Sequence, residues 1–537
     1  MVIKKPRIVI IGAGMAGLAA ANKLYKSASS KELFELLIVE GGTRIGGRIN
    51  TKEFCGDKVE IGATWIHGIN GSPIHQIAQN INSLESEKPW ECMNWSTDEV
   101  TIAEGGLKLN QTIVKPINDL FNKLVDFSQG KTVEDGIINN RDENGSCRTL
   151  SLGSFLRKGL EAYWGSRKEQ EEVKVNHEGS WNKKSLESAI FSMFENTRRT
   201  YTSAGDLNTV DFNAEREYSK FPGEEITIAK GYSSIIESLA SVLPAGLIQL
   251  GRKVSRIEWQ NDDQTTSGME NSNDGYVSRP VKLHFVDGSS ICADHVILTV
   301  SLGVLKHGVL QDSCLFTPAL PNWKIQAISR LGFGVVNKLF LQLNSKHDQE
   351  NNNTSKRFPF LHMVFLEQDS VIPWWMRKTA SLYPIYSNSN VLLSWFAGEE
   401  ALALETLSDE EILDGVSATI LNLLSNSQSH CNGTVSCDQI LNGEVKFGKV
   451  LRSKWGTNPL FLGSYSYAAI GSSGDDFDTM AEPLPKSALN KNVCPLQILF
   501  AGEATHRTHY STAHGAYLSG IREANRLLQH YNCSNDI

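Results

Sequence analysis

The feature that most constrains this chain is a glycine turn near its start. Gly12-Ala13-Gly14-Met15-Ala16-Gly17 lies between an apolar run, 7–11, and a helical pattern from about Ala16 to Tyr25. A second apolar run, 34–39, ends at Glu40. Strand, G-x-G-x-x-G turn, helix, strand and acid in this register read as a dinucleotide-binding βαβ unit. Gly12 permits the tight turn, Gly14 lets a pyrophosphate approach the backbone, and Gly17 lets the helix pack close to the sheet. The helix N-terminus at Met15 and Ala16 offers unpaired N–H groups and a partial positive charge to phosphate. Glu40 is suited to accept hydrogen bonds from ribose hydroxyls; it would repel a 2′-phosphate, which disfavours NADP.

Directly after Glu40 comes Gly41-Gly42-Thr43-Arg44-Ile45-Gly46-Gly47-Arg48. A second glycine pair with an arginine gives another close backbone approach and a guanidinium for phosphate. NAD does not need that second loop, whereas a larger cofactor lying extended across the domain, such as FAD, does.

The same kind of element recurs far along the chain. Runs 254–259, 281–286 and 291–298 read as strands, with Asp287-Gly288 as a hairpin turn between the last two. At the end, 496–500 reads as a strand, Ala501-Gly502-Glu503 as a turn, and Ala513 to Gln529 as a helix. The expected fold class is therefore α/β plus α+β, with a discontinuous Rossmann-type FAD-binding domain (1–85, 223–314 and 446–537). A substrate-binding domain, 86–222 and 315–445, is inserted into it. Segments 261–280, 344–357 and 425–436 are polar and read as exposed or disordered insertions.

Composition narrows the partners. The net charge of −8 disfavours nucleic acid, whose binding needs clustered Lys and Arg. No apolar run is long enough to span a bilayer, so no membrane partner is expected. The nine cysteines are scattered and form no C-x-x-C pair, which suggests neither a disulfide framework nor a metal site. The first apolar stretch belongs to a motif-bearing strand and not to a secretory signal, and the last residues match no targeting tail. The expected location is cytoplasmic, where sequons such as Asn70-Gly71-Ser72 stay unmodified. Oligomeric state is not legible.

Further segments carry a resemblance. Gly62-Ala63-Thr64-Trp65-Ile66-His67-Gly68, then Ala293 to Val300, then Phe500-Ala501-Gly502-Glu503-Ala504-Thr505 follow the glycine motifs in order. Together they resemble the flavin-containing amine oxidase family from residue 7 to 526. Within it, the 62–68 segment and the tail from His506 to Tyr517 are most similar to the polyamine oxidases, above all the plant cytosolic branch acting on thermospermine and spermine. Monoamine oxidases carry a cysteine near the flavin for a covalent link; here Ser511-Thr512-Ala513 occupies that region, with no cysteine from Phe500 to Gln529. The resemblance therefore implies non-covalent FAD. It also implies contacts: Glu40 with the adenosine ribose, Arg48 with pyrophosphate, Gly62, Ala63, Thr64 and Trp65 with the isoalloxazine. Val254 would meet adenine, Gly502 and Glu503 the ribityl–pyrophosphate region, and the helix after Thr512 and Ala513 the flavin carbonyl, where reduced flavin is negative.

The implied reaction takes a hydride from a carbon beside an amine nitrogen to flavin N5, with dioxygen or another acceptor reoxidising the flavin. An amine with pKa near ~10 pays roughly 4 kcal/mol to react neutral at pH 7, and desolvation lowers that cost. Lys338 matches the family lysine that reaches flavin N5 through water; read alone, it is better explained as an edge lysine reaching solvent. Trp455 and Tyr465, and less so Tyr467, match the aromatic wall on the flavin's substrate side, with Trp374-Trp375 and Trp395-Phe396 as further candidates. His67, two residues beyond Trp65, is a candidate contact for a substrate nitrogen. Glu215, Glu217, Glu224 and Glu225 are the carboxylates suited to distal ammonium groups, with Glu217 singled out. The expected product set is spermidine, an aminoaldehyde and hydrogen peroxide; N-acetylpolyamines are further candidate substrates. Alternatives are another amine, a carotenoid-type lipid or methylated histone lysine on the same scaffold, or a non-catalytic flavin-binding protein.

Overall fold

The computed structural model describes residues 5–27, 33–85, 99–131, 150–167, 182–260, 279–310, 315–344, 358–366, 371–386, 389–424, 446–486 and 494–532. The three polar insertions expected from sequence lie, but for Arg279, Pro280 and Asn344, outside these residues.

A five-stranded parallel sheet contains the strand before the glycine turn, in the order Ile498–Phe500, His295–Leu298, Arg7–Ile11, Glu35–Val39, Ile248–Gln249. Its strands come from the beginning, middle and end of the chain. Alternation along the first strand explains its continuous apolar sequence. Ile8 and Ile10 join one core with Ala16, Leu18 and Leu527, while Val9 and Ile11 join another with Leu283, Phe285 and Phe477. A parallel sheet covered on both faces needs apolar residues at every position. The helix Met15–Lys26 follows, packed against the closing helix Ala513–His530. That packing is close: a Cβ on Gly520 would lie 2.1 Å from the Ala16 carbonyl oxygen.

The run 291–298, read as one strand, is two. Ser290–Ala293 pairs antiparallel with Val281–Phe285, and His295–Leu298 pairs parallel with Arg7–Ile11. Asp294 marks the switch. Its carboxylate accepts from the Arg7 backbone N–H (2.6 Å) and meets Arg279 at 3.2 Å. A single ion-paired residue between two short strands leaves no periodicity signal that separates them.

A four-stranded sheet runs Ser290–Ala293, Val281–Phe285, Val254–Glu258, Phe316–Thr317. The helix Asn322–Arg330 packs into the same core through Ala327 and Ile328. Residues on both sides of the division drawn at 314 thus share one sheet and one core. A seven-stranded sheet makes the other half, in the order Lys446–Arg452, Val336–Asn344, Val391–Ala397, Ser381–Pro384, Phe360–Val364, Glu99–Ala103, Leu107–Leu109. The strand Lys446–Arg452 therefore belongs to this sheet, although the sequence division put it with the nucleotide side. The helices Gln111–Ser128, Leu152–Ser166 and Lys183–Thr202 share a further core with Val364 and Ala380 of this half. No described helix is long and apolar enough to cross a membrane.

Candidate active site

A cavity of about 880 Å³ runs between the two halves. That is near the top of the range for cofactor and ligand sites, ~300–1,000 Å³. It is lined by Gly12, Gly14, Met15, Ala16, Glu40, Arg48 and Val254, and by Gly502, Glu503, Thr512 and Ala513. The same cavity is lined by Gly62, Ala63, Thr64, Trp65, His67, Lys338, Trp395, Trp455, Tyr465 and Tyr467. Every cofactor candidate except Gly17 borders this one space. Gly17 acts through packing, since a Cβ there would sit 2.0 Å from the Gly12 carbonyl oxygen.

The glycine turn is built to hold an anion. Gly12 has φ +106°, a conformation that favours glycine. An added Cβ on Gly14 would make only ordinary contact, at 3.8 Å, with Gly46 and Gly47 of the second glycine loop, and Gly14 itself borders the cavity. The helix Met15–Lys26 has no side-chain N-cap, which leaves its first amides for a ligand. Glu40 braces this end: its carboxylate accepts from the backbone N–H of Ala13 and of Gly42, each at 2.7 Å. The two glycine loops are thereby tied to one acid.

Arg48 donates through Nη1 to Glu503 Oε1 and to the Ser464 carbonyl oxygen, both at 2.8 Å. The other oxygen of Glu503 accepts from Ser466 Oγ (2.5 Å) and the Ser511 N–H (2.9 Å). At 5 % exposure such a charge is tolerable because it is paired and hydrogen-bonded. Beside it, Thr512 caps the helix Ala513–His530, accepting from the Gly515 N–H at 3.0 Å, with the helix N-terminus at the cavity wall.

Lys338 is not an edge lysine. It lies on the strand Val336–Asn344, which is paired on both sides, opposite Trp395, and only 3 % of it is exposed. Its Nζ donates to the carbonyl oxygens of Glu60 and Gly62, each at 2.6 Å, and to Thr64 Oγ1, and it lies 4.5 Å from the centre of the Trp395 ring. Burial draws its pKa well below the ordinary lysine value, opposed by the buried Glu60 carboxylate. Burial pushes Glu60 in the opposite direction, upward. Glu60 was missed in the sequence; the acid ending the run 57–60 just before the Gly62 motif was its only signal. Its carboxylate accepts from the Tyr232 N–H (2.7 Å) and Thr51 Oγ1 (3.0 Å).

Trp455 is buried, with Nε1 donating to the Ile61 carbonyl oxygen at 3.2 Å. Tyr465 donates its hydroxyl to the Thr200 carbonyl oxygen, and burial raises its pKa. Tyr467 borders the cavity and meets Thr209 Oγ1 at 3.2 Å. Of the lesser aromatic candidates only Trp395 lines the cavity: Trp374 is exposed, and Trp375 and Phe396 pack in a separate core.

The acidic group divides in a way the sequence did not indicate. Glu217 does not line the cavity. It accepts from Arg507 Nε (2.6 Å) and from the Gly474 N–H (3.2 Å). Ala214–Glu217 is a 3₁₀ turn, and with three residues per turn Glu215 and Glu217 cannot share a face. Glu215 and Glu225 line the cavity, joined by Asp126; Glu224 does not. Glu215 pairs with Arg198 at 2.7 Å. Glu225 stands opposite His67 in a short antiparallel pair, Oε1 lying 3.6 Å from His67 Nδ1. This neighbour, first among several, lowers the Glu225 pKa to about 2.

Uncapped amides at a glycine turn, a paired arginine and a set of aromatic side chains fit an extended flavin dinucleotide, and among the described residues no cysteine lines the cavity for a covalent link. Comparison with known proteins agrees. The profile of the family described as "Flavin containing amine oxidoreductase" matches residues 15–528. The chain is 54% identical to "Probable polyamine oxidase 5" of Arabidopsis thaliana, with 99% of each chain covered. It is 42% identical to "Polyamine oxidase 1" of Oryza sativa subsp. japonica, over 99% of this chain and 98% of the relative. It is 31% identical to the "Peroxisomal N(1)-acetyl-spermine/spermidine oxidase" of Bos taurus, over 97% and 94%. The chain therefore belongs to the flavin containing amine oxidoreductases, and is an FAD-dependent amine oxidoreductase with the cofactor held non-covalently.

Proposed function

We propose that this protein is a polyamine oxidase acting on spermine and thermospermine, converting them to spermidine and an aminoaldehyde. The carrying observation is a single cavity that joins the nucleotide turn, the Lys338 and aromatic middle, and the carboxylates Glu215, Glu225 and Asp126. A long flexible polycation matches a slot with an apolar waist and acids beyond it. The two plant relatives are named as polyamine oxidases, which supports the same substrate class.

In this reading Glu40 receives the adenosine ribose, Arg48 and the 12–17 turn the pyrophosphate, Val254 the adenine, and 62–65 the isoalloxazine. Gly502, Glu503, Thr512 and Ala513 serve the ribityl and flavin-carbonyl side. FAD, when bound, would supply the acceptor for a hydride from the carbon beside an amine nitrogen; water would hydrolyse the resulting substrate imine to spermidine and the aminoaldehyde, and dioxygen would take up the two electrons with protons to give hydrogen peroxide. Trp455, Tyr465 and Trp395 exclude water and present ring faces to a cation. Exclusion of water also favours the neutral amine that must react. Lys338 holds a proton at Nζ next to the Thr64 hydroxyl, and His67 meets a substrate nitrogen.

The domain reading follows: 1–85, 223–330 and 453–537 as a discontinuous cofactor domain, 86–222 and 331–452 as the substrate domain. The sheet memberships of Phe316–Thr317 and Lys446–Arg452 support these two shifted boundaries. A cytoplasmic location is part of the proposal.

The test is anaerobic titration of the yellow holoprotein. Spermine or thermospermine should bleach the flavin bands, benzylamine should not, and mass spectrometry should find spermidine. Bleaching by benzylamine with none by any polyamine would overturn the reading.

A further inference from the structure

Apart from Glu40 and Glu503, every carboxylate that lines the cavity among the described residues carries a lysine or arginine of the protein's own. Asp126 meets Lys131 at 3.3 Å, Glu215 meets Arg198 at 2.7 Å, and Glu225 meets Lys220 at 2.9 Å. All six residues line the cavity. These three acids and three bases carry no net charge together, so a polycation cannot be drawn in by unpaired acids among them.

The three pairs differ in how firmly they are held. The Arg198 and Glu215 side chains are 14 % and 5 % exposed, a fixed part of the wall. The Lys220 side chain is 45 % exposed, and its ammonium can return to water at little cost. Its backbone cannot move as easily. The Ser219 N–H donates to the Thr508 carbonyl oxygen at 2.7 Å, the Pro222 carbonyl oxygen accepts from the Asn70 N–H at 2.9 Å, and Phe221 stacks on His509 at 4.9 Å between ring centres. Glu225 is fixed by its strand pairing with His67. The result is a fixed carboxylate, an anchored loop and one flexible four-carbon stem ending in an ammonium. That ending is chemically the aminobutyl terminus of a polyamine.

We propose that Lys220 is a specificity-determining residue that occupies, in the free enzyme, the subsite of a substrate ammonium on Glu225, and is displaced when a polyamine binds. This rests on the polyamine reading of the site. The exchange replaces one ammonium–carboxylate pair by another, so it lowers the gain from any single charge. A substrate with one ammonium recovers little by displacing Lys220. A longer amine that also engages the aromatic side chains of the cavity recovers more, and is selected.

The experiment is steady-state kinetics of the holoenzyme with spermine and with an N-alkyl amine carrying a single nitrogen, for the parent, Lys220→Gln, Glu225→Gln and the double variant. Lys220→Gln should lower the spermine KM about threefold to fivefold, the reach of an exposed ion pair, with kcat within twofold. Glu225→Gln should raise it, and on that background Lys220→Gln should have no further effect. Raising the salt concentration should weaken the parent's dependence on Lys220. An unchanged or higher KM in Lys220→Gln, or the same gain with and without Glu225, would overturn the proposal while leaving the polyamine reading intact. A parent enzyme that oxidises no polyamine would overturn both.

Discussion

Arg48 and Glu503, 455 residues apart in the chain, meet at 2.8 Å on the cavity wall. The first follows the second glycine loop and the second opens the turn before the closing helix. Their pairing ties the two ends of the chain together where a dinucleotide would lie. Glu503→Gln should leave Arg48 partly buried without its counter-charge. We expect a loss of about 3 kcal/mol and purification with substoichiometric FAD. Thermal unfolding and the ratio of flavin to protein absorbance check both, and full flavin content with an unchanged Tm would count against the role.

Two glycines of the same turn should fail differently. Gly14→Val meets no atom of the protein closer than 3.8 Å at Cβ, so the chain should fold but emerge colourless, its side chain standing where a phosphate approaches. Gly17→Val drives Cβ to within 2.0 Å of the Gly12 carbonyl oxygen and should give insoluble protein. Soluble yield and flavin absorbance separate the two outcomes; a yellow Gly14→Val protein would contradict the phosphate site.

Lys338→Met removes the ammonium and keeps the apolar stem. The carbonyl oxygens of Glu60 and Gly62 lose their donor, but FAD should remain bound because the glycine turn is untouched. Flavin reduction by substrate, or reoxidation by oxygen, should slow about 10²-fold, the lower range for a proton-handling group. Stopped-flow measurement of each half-reaction decides; parent-like rates for both would take Lys338 out of the site.

The closing segment should make the fold acid-sensitive. Burial lowers the His514 pKa to about 3 and that of His506 to about 4. Above about pH 6.5, the ordinary histidine value, folded and unfolded chains hold these rings neutral alike. Below it the unfolded chain takes up protons that the folded one refuses, so stability falls from pH 6.5 down to about 3. Tm measured across pH 4–8 should decline on the acid side, and His514→Gln should flatten that slope. An unchanged slope would show that other groups govern it.

How much of this was legible depended on the range of the interaction. The glycine turn, Glu40 and the Gly46-Gly47-Arg48 loop could be read because adjacent residues supply each requirement: a positive φ, a close backbone approach, a helix start. Lys338 could be flagged only by its likeness to a family, since nothing local says whether a lysine on an apolar strand reaches water. Trp395 gained its place from the strand register that sets it opposite Lys338. Which of the acids borders the cavity was not legible, because an irregular acidic stretch shows no period, while the observed 3₁₀ turn places Glu215 on the cavity and Glu217 against Arg507.

The sequence by itself determined that a dinucleotide unit opens this chain and that matching elements close it, because strand period, glycine spacing and helix caps are local properties of the backbone. Only the tertiary structure decided which acids face the cavity, that each is already answered by a basic side chain, and that Lys338 is enclosed by Glu60, Gly62 and Thr64. Those facts arise where segments hundreds of residues apart are packed side by side. Burial and the direction of each side chain there are set by neighbours that no window of sequence contains.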